Sequence, residues 1–463
     1  MSKYSAQIAV LFIFVRFYVF SQENEIPEPD FSGTPLFSIN SLNFNITGRT
    51  KISALLDSGS FVQGEEITGL SGLENYIQEK SQLLYNERVL ESAHIDYFIG
   101  QYSQGKYPVD LLIDTKDSWN FIVFPKPEYS SSNGFSLTLC IRDYNFLGLM
   151  QPFKIDLGYK YDELNRTIYN FLLDSNLPFG AFRQRWIFDF DHDFEYRPDF
   201  EEPFQYIVNT GLSVKLPVGI KPGSMGEITY NPKLSLVFNH EFSQLTFEEI
   251  QKRLFLSFYH NLELSNINWA GNLRKGLNFC IENSFIYNLH NSSFKTLPLD
   301  NYIYLSGISH FIVKENIFGI SARMMYRHWL FSAVYGEAAD VLRGVIDKEI
   351  QANYMFSLNL DFPLRILKFK PSEYFNNRKL RVFNFDLFLS PFFDFAIFKN
   401  KDQMDTNPVN RSFTGGMEAL VFPDFFRSLN LCISFGYNFS RHEPSNSASA
   451  GKYEIYIGTD LFF

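Results

Sequence analysis

From about residue 150 onward the chain alternates apolar and polar positions in long runs. Phe153, Ile155, Leu157, Tyr159 and Tyr161 alternate with Lys154, Asp156, Gly158, Lys160 and Asp162. Trp186, Phe188, Phe190, Phe194 and Tyr196 alternate with Arg185, Asp189, Asp191, Asp193 and Glu195. Phe383, Phe385, Leu387, Leu389, Phe393 and Phe395 alternate with Asn384, Asp386, Ser390 and Asp394. A period of two puts the aromatic side chains on one face of a strand and the charged ones on the other. Runs of about ten residues exceed the five or six of an average soluble strand and suit a tilted strand crossing a hydrocarbon layer. Roughly sixteen such runs fit between Asn120 and Phe463, and an even number allows an antiparallel sheet to close with both ends on one side. Two packed soluble sheets are the competing reading; their inner faces would be aliphatic rather than aromatic.

The first part of the chain reads differently. Leu42, Phe44 and Ile46 alternate and stop at Gly48, which predicts a strand. Lys51 to Leu56 is a short helix candidate, and Leu73, Tyr76, Ile77, Leu83 and Leu84 mark one face of a longer helix between Gly72 and Ser92. Two strands follow, carrying Ile95, Tyr97 and Ile99, then Val109, Leu111 and Ile113. The pattern predicts a β-α-α-β-β unit over residues 36–119, a small α+β domain.

Both termini carry sorting features. Ile8 to Phe20 is apolar except for Arg16, follows Lys3, and ends with Val19 and Ser21 at the −3 and −1 positions of a cleavage site. A run of about thirteen apolar residues is too short to span a bilayer and fits a secretory signal. The sequence therefore predicts a signal peptide over 1–21, a linker over 22–35, the α+β domain over 36–119 and a barrel over 120–463. In the last run Tyr453, Ile455, Ile457, Thr459, Leu461 and Phe463 share one face. A terminal aromatic on an apolar strand face resembles the assembly signal of bacterial outer-membrane barrels, here Ile457, Leu461 and Phe463.

Composition removes several function classes. The 463 residues carry a formal net charge of −10, which argues against a nucleic-acid partner. Aromatic residues make up 18% of the chain, more than a disordered chain holds. No stretch after the N-terminus reaches about 18 consecutive apolar residues, so a helical membrane bundle is excluded. Cys140, Cys280 and Cys432 are far apart and have no metal or redox spacing. No H-E-x-x-H pair and no G-x-S-x-G elbow occurs, so the chain reads as a non-enzyme with no cofactor and no metal.

Four motifs then stand in order. They are Asn145-Phe146-Leu147-Gly148 after the second run, Val341-Leu342-Arg343-Gly344-Val345 between the eleventh and twelfth, Phe392-Phe393-Asp394 on the thirteenth, and the terminal aromatic strand. In this order they resemble the BamA-type superfamily of outer-membrane protein-assembly and secretion barrels. In that family the first is the N-F-L-G turn, the second the V-R-G-F motif of the long sixth outer loop, and the third an F-x-D element. The α+β domain resembles one POTRA module. Two positions depart from the family pattern: Val345 replaces an aromatic, and Ala396 stands where the family has glycine.

The resemblance implies a cell outer-membrane barrel with its POTRA-like domain in the periplasm. Its implied partners are the lipid bilayer, unfolded outer-membrane or exported polypeptides, and periplasmic accessory proteins. The implied function is insertion or translocation of polypeptides through a lateral seam, with POTRA-guided strand addition. A passive pore or structural surface protein on the same scaffold is the alternative.

The residue chemistry frames the central question. Alternation places Phe392 and Asp394 on one polar face, and Ser357, Asn359 and Asp361 on the inward face of the neighbouring strand. Arg343, flanked by Leu342 and Gly344, is either a solvated loop arginine or folds into the lumen and meets Asp361 or Asp394 through charge-assisted bonds. Pro125 and Pro127 either belong to the linker before the barrel or remove ladder donors from its first strand. Gly458 weakens pairing in the last strand.

Overall fold

A computed structural model describes residues 34–130, 134–161, 166–182, 184–199, 204–220, 226–240, 253–289, 299–330, 336–337, 341–345, 350–399, 410–440 and 453–458. The expected signal peptide, Leu461 and Phe463 lie outside the described residues.

The α+β domain contains β1 (Leu36–Thr47), α1 (Ile52–Ser58), β2 (Glu66–Thr68), α2 (Leu70–Asn86), β3 (Leu90–Ile99) and β4 (Tyr107–Asp117). Its sheet runs in the order β2-β1-β4-β3. Leu73 and Leu84 of α2 and Val109, Leu111 and Ile113 of β4 are buried, following the predicted periods. On β1, by contrast, the expected face of Leu42, Phe44 and Ile46 is half-buried, and the fully buried side chains are Phe37 and Ile39, of the opposite parity. The sequence pattern contains no strand between the helices, yet β2 pairs with Leu36–Ser38. Three residues with one buried side chain, Ile67, are too few to leave an alternation. Helix α2 also starts before Gly72, because the Leu73 N–H already bonds the Gly69 carbonyl at 3.1 Å.

The barrel opens with β5 (Phe121–Ser130), β6 (Gly134–Asp143), β7 (Phe153–Tyr161), β8 (Thr167–Ala181), β9 (Gln184–Tyr196), β10 (Phe204–Val214), β11 (Ile228–His240) and β12 (Arg253–Ser265). It continues with β13 (Leu273–Asn288), β14 (Leu299–Lys314), β15 (Phe318–Trp329), β16 (Tyr354–Asp361), β17 (Phe385–Lys399), β18 (Asn410–Pro423), β19 (Leu431–Asn438) and β20 (Tyr453–Gly458). Shorter segments adjoin β10, β13 and β16, so among the described residues nineteen paired segments make sixteen barrel strands. Neighbours pair antiparallel in chain order, and β20 closes on β5.

One barrel face is polar and the other apolar. Lys154 bonds Asp174 and Lys233 bonds Asp189, each at 2.9 Å, on the inward parity of their strands. Leu137, Leu157, Leu234, Phe279 and Phe413 are exposed on the other parity. Tyr159, Tyr169, Tyr196 and Phe204 form an aromatic ladder with successive ring centroids 5.7, 6.2 and 5.0 Å apart. An apolar exterior with an aromatic band near one rim is what a bilayer requires of a closed sheet.

Pro125 and Pro127 lie inside β5, opposite Leu139 and Leu137. The Tyr144 N–H bonds the Asn120 carbonyl at 2.9 Å, and the β5–β6 register runs without a shift from Phe121↔Asp143 to Ser130↔Gly134. Even-numbered residues of β5 therefore direct their backbone at β6, and odd-numbered ones at β20. Both prolines are odd, so the closing seam lacks two donors.

Cα proximity gathers 34–43, Val62–Gln78 and Asp96–Leu111 into one compact unit, and Phe44–Phe61, Glu79–Ile95 and the chain from Leu112 into a second. The second unit holds residues 79–95 because they bond barrel turns. Gln82 Nε2 donates to the Trp269 carbonyl at 3.1 Å, and the Asn86 side chain bonds Asn268 and the Trp269 N–H at 2.9 and 3.0 Å. The Arg88 guanidinium lies 4.4 Å from the centre of the Trp269 ring and donates to the Arg427 carbonyl. Arg427 in turn donates to the carbonyls of Leu90 and Glu91 at 2.8 and 3.1 Å. Burial, with Arg427 nearby, pushes the Arg88 guanidinium down to about 10, so it remains a cation at neutral pH. Burial alone would raise the Glu91 carboxyl, but bonds from Lys116 and Arg381, both at 2.9 Å, hold it below its ordinary range.

Arg88→Ala should release this attachment, since a desolvated cation–π pair contributes about 2 kcal/mol. Limited proteolysis of the reconstituted chain should show faster cleavage within 79–95. Arg88→Lys should recover only part of the protection, because an ammonium lacks the planar stack. The Glu91 share is complete above the ordinary carboxylate pKa and is lost as pH falls through its depressed value. Cleavage should therefore also rise in acid, and Glu91→Gln should remove that rise; rates unchanged both by Arg88→Ala and by acid would refute the attachment.

Candidate functional site

Three neighbouring strands prepare the site before the loop arrives. Their inward parity buries Ser357, Asn359 and Asp361 on β16, Ser390, Phe392 and Asp394 on β17, and Ser412, Thr414 and Glu418 on β18. The register sets Asn359 beside Asp394, Asp361 beside Phe392, and Ser390 beside Glu418. Gly416 lies opposite Phe392, where an added Cβ would come within 2.7 Å of the Phe392 ring. The strand is thus pared back to seat that ring, and three carboxylates converge around it.

Into this wall the loop between β15 and β16 inserts Arg343. A two-residue ladder, Gly336–Glu337 with Gln351–Ala352, joins the loop's two limbs. The Arg343 guanidinium donates to Asp394 from Nε at 3.0 Å and Nη2 at 2.7 Å, and to Asp361 from Nη1 at 2.6 Å. Its own backbone N–H adds a bond to Asp394 at 3.0 Å. Glu418 stands 3.0 Å from Nη1, and the Phe392 ring centre is 3.8 Å from the guanidinium carbon. The Arg343 side chain is only 6% exposed and that of Asp394 is 0% exposed. A desolvated guanidinium needs several fixed acceptors to offset the lost water, and a planar fork fits two carboxylates and a ring face together.

The residues around Arg343 are held apolarly. Val341, Leu342 and Val345 are buried in one cluster with Met325, Met355, Ala396 and Phe398, and Asn359 Nδ2 bonds the Val341 carbonyl at 2.8 Å. Both departures from the family pattern, Val345 and Ala396, fall in this cluster. Gly344 has φ +86°, and its N–H bonds Glu454 Oε2 on β20 at 2.9 Å.

The Asn145 turn is a second polar knot. Asn145 is fully buried, donates to Thr50 Oγ1 at 2.8 Å and Asp117 Oδ2 at 3.1 Å, and accepts from the Met150 N–H at 3.0 Å. Gly148 has φ +74°, and a Cβ there would lie 2.2 Å from the Arg49 carbonyl oxygen, so the turn needs glycine. At the C-terminus, Ile457 pairs with Ile433. Gly458 ends the described part of β20 opposite Cys432, and a Cβ there would lie 2.0 Å from Tyr456 Oη. That glycine makes room for a ring.

The structure brings together Leu342, Arg343, Gly344, Asp361, Phe392 and Asp394 from the sequence-derived set. Sequence reasoning missed Glu418 and Glu454. Glu418 had a readable signal, being the acid on the inward parity of its run; Glu454 had none, since its partner comes from another part of the chain. Among the described residues no group of His, Cys, Asp or Glu is arranged to hold a metal ion.

Arg343→Ala should leave the carboxylates of Asp361, Asp394 and Glu418 facing one another. Removing one partner of a buried pair costs about 3–5 kcal/mol. Protease cutting of the loop should rise, while the barrel stays heat-modifiable. Arg343→Lys should rescue poorly. A double-mutant cycle with Asp394→Asn, read as loop protection, should show strong coupling; strictly additive effects would mean the pair contributes no joint energy.

No family model matches the sequence, and no curated protein matches it. Solved structures do match in fold. CdiB from Acinetobacter baumannii aligns with TM-score 0.59 at 12% identity, over 91% of this chain and 73% of that one. CdiB from Escherichia coli aligns with TM-score 0.52 at 10% identity, over 93% and 91%. BamA from Haemophilus ducreyi lacking POTRA domains 1–3 aligns at TM-score 0.47 and 11% identity, over 91% and 84%, a likeness too slight to carry weight. At such identities what is shared is the fold: this chain has the fold of the CdiB barrels, with sixteen long strands among the described residues closed on themselves and a four-stranded sheet with two helices ahead of them in sequence.

Proposed function

We propose that this chain inserts or translocates unfolded polypeptides at a bacterial outer membrane, opening sideways between β5 and β20. The α+β domain of residues 36–119 then acts as a periplasmic POTRA module that offers a sheet edge to the client. The fold shared with the CdiB barrels supports this reading.

One observation carries the lateral route. Pro125 and Pro127 both face β20 rather than β6, so the edge that β5 turns to β20 offers two fewer N–H donors. Each backbone bond contributes about 0.5–1.5 kcal/mol net, and more where water is scarce. The odd-numbered side chains of β5, including Val123 at 50% exposure, are apolar, so a parted seam opens onto lipid rather than water. A client edge strand that pairs with β20 can donate its own N–H groups to carbonyls of β20 that face the prolines, which is strand addition.

The test is a cysteine pair across the seam, one residue in Phe121–Phe124 and one at Ile455 or Ile457, in the full chain reconstituted into vesicles. The oxidised lock should block insertion of an unfolded barrel client, and reduction should restore it. Pro125→Val with Pro127→Val, which returns both donors, should slow insertion several-fold with the barrel intact. Full insertion through a completely locked seam would overturn the lateral route, and no insertion by the unlocked chain would replace this reading with a passive pore or structural surface protein.

A further inference from the structure

We infer that Gly436 and Glu454 form a clasp by which the Arg343 loop holds the last hairpin of the barrel, so that the seam parts only when the loop lets go. This rests on the lateral route proposed above and names the element that controls it.

The last hairpin is weakly held on one side. Strand β20 has a continuous ladder with β19, from Cys432↔Gly458 to Tyr437↔Tyr453, while its other neighbour is the proline-bearing edge of β5. Gly436 and Glu454 are directly opposite each other in the β19–β20 ladder. The loop meets both. The Gly344 N–H donates to Glu454 Oε2 at 2.9 Å. A Cβ on Gly436 would lie 2.7 Å from the Gly344 nitrogen, and a Cβ on Gly344 would lie 2.8 Å from the Gly436 carbonyl carbon. Neither residue can carry a side chain without separating the two backbones, so the contact depends on two glycines at once. Gly344 also sits at φ +86°, where other residues are strained.

The neighbouring residue supplies the fixed point. Arg343 is bonded to β16 and β17 through Asp361 and Asp394 and lies beside Glu418 of β18. One peptide bond therefore separates the anchor on the stable wall from the contact on the seam hairpin. A peptide unit is rigid, so the hairpin cannot move outward without breaking the Gly344–Glu454 bond or dragging Arg343 from its carboxylates. Linkage makes the effect reciprocal: whatever withdraws the loop weakens the seam, and whatever parts the seam loosens the loop.

The test uses the full chain in phosphatidylethanolamine–phosphatidylglycerol vesicles, with Cys140, Cys280 and Cys432 replaced by serine. A seam cysteine pair as above reports closure by its rate of disulfide formation. A separate Val345→Cys chain reports loop withdrawal by its reaction with a water-soluble maleimide. Gly436→Ala and Glu454→Ala should slow seam crosslinking by about tenfold, the loss expected for a hydrogen bond to a charged group, and should speed maleimide labelling. Glu454→Gln, which keeps an acceptor but not the charge, should fall between. If Gly436→Ala fails to give a heat-modifiable barrel, the two Glu454 variants decide. Faster loop labelling with unchanged crosslinking would overturn the inference, as would no change in either signal. A clasp-dependent seam in a barrel that inserts no client would count against the proposed function and leave the clasp standing.

Discussion

The guanidinium of Arg343 is enclosed by three carboxylates and a phenyl ring, and this one buried charge fixes how the loop, the wall and the last hairpin relate. A long polar loop gains little from closing over a water-filled lumen, because its backbone loses entropy and its polar groups lose water. The ion cluster reverses that balance at one point. The apolar residues on either side, Val341, Leu342 and Val345, extend it into a small core inside the barrel. Without the charge cluster those side chains would have no reason to face inward.

The same cluster explains why the inward faces of β16, β17 and β18 look as they do. A phenyl ring at Phe392 would clash with any side chain at position 416, and that position is glycine. Asn359 bonds the Val341 carbonyl, so a buried acceptor of the loop is satisfied by the wall. Val345 of the loop and Ala396 of the wall are buried in the same apolar cluster.

Strength and weakness are distributed unevenly around the barrel. Residues 82–91 are bonded to turns that contain Trp269 and Arg427, and Trp269 packs against a buried cluster of Leu273, Phe388, Leu420, Phe422 and Cys432. The β5–β20 seam, by contrast, is short of donors. A closed sheet with one deliberately poor joint can part there without unfolding, provided something else keeps the adjoining hairpin in place at rest. The Gly344 contact with β19 and β20 has that position.

Strand alternation, together with the even number of long runs, favoured the barrel over two packed sheets. A period of two over about ten residues has few other solutions in so aromatic a chain, and the crossing number followed from counting runs. Parity likewise put Asp361, Phe392 and Asp394 on inward faces, because side-chain direction in a strand is local geometry. The short strand Glu66–Thr68 was not readable, since three residues carry no period. Whether Arg343 is solvated or buried was not readable either, because a loop has no periodicity to say where it folds. Glu454 and Gly436 could be found only in three dimensions: they meet Gly344 across a separation of about a hundred residues in sequence, and nothing local marks a carboxylate that will accept from a distant backbone N–H. The direction of the two prolines needed the β5–β6 register, which one hydrogen bond at Tyr144 fixes and which no single strand can state about its neighbours.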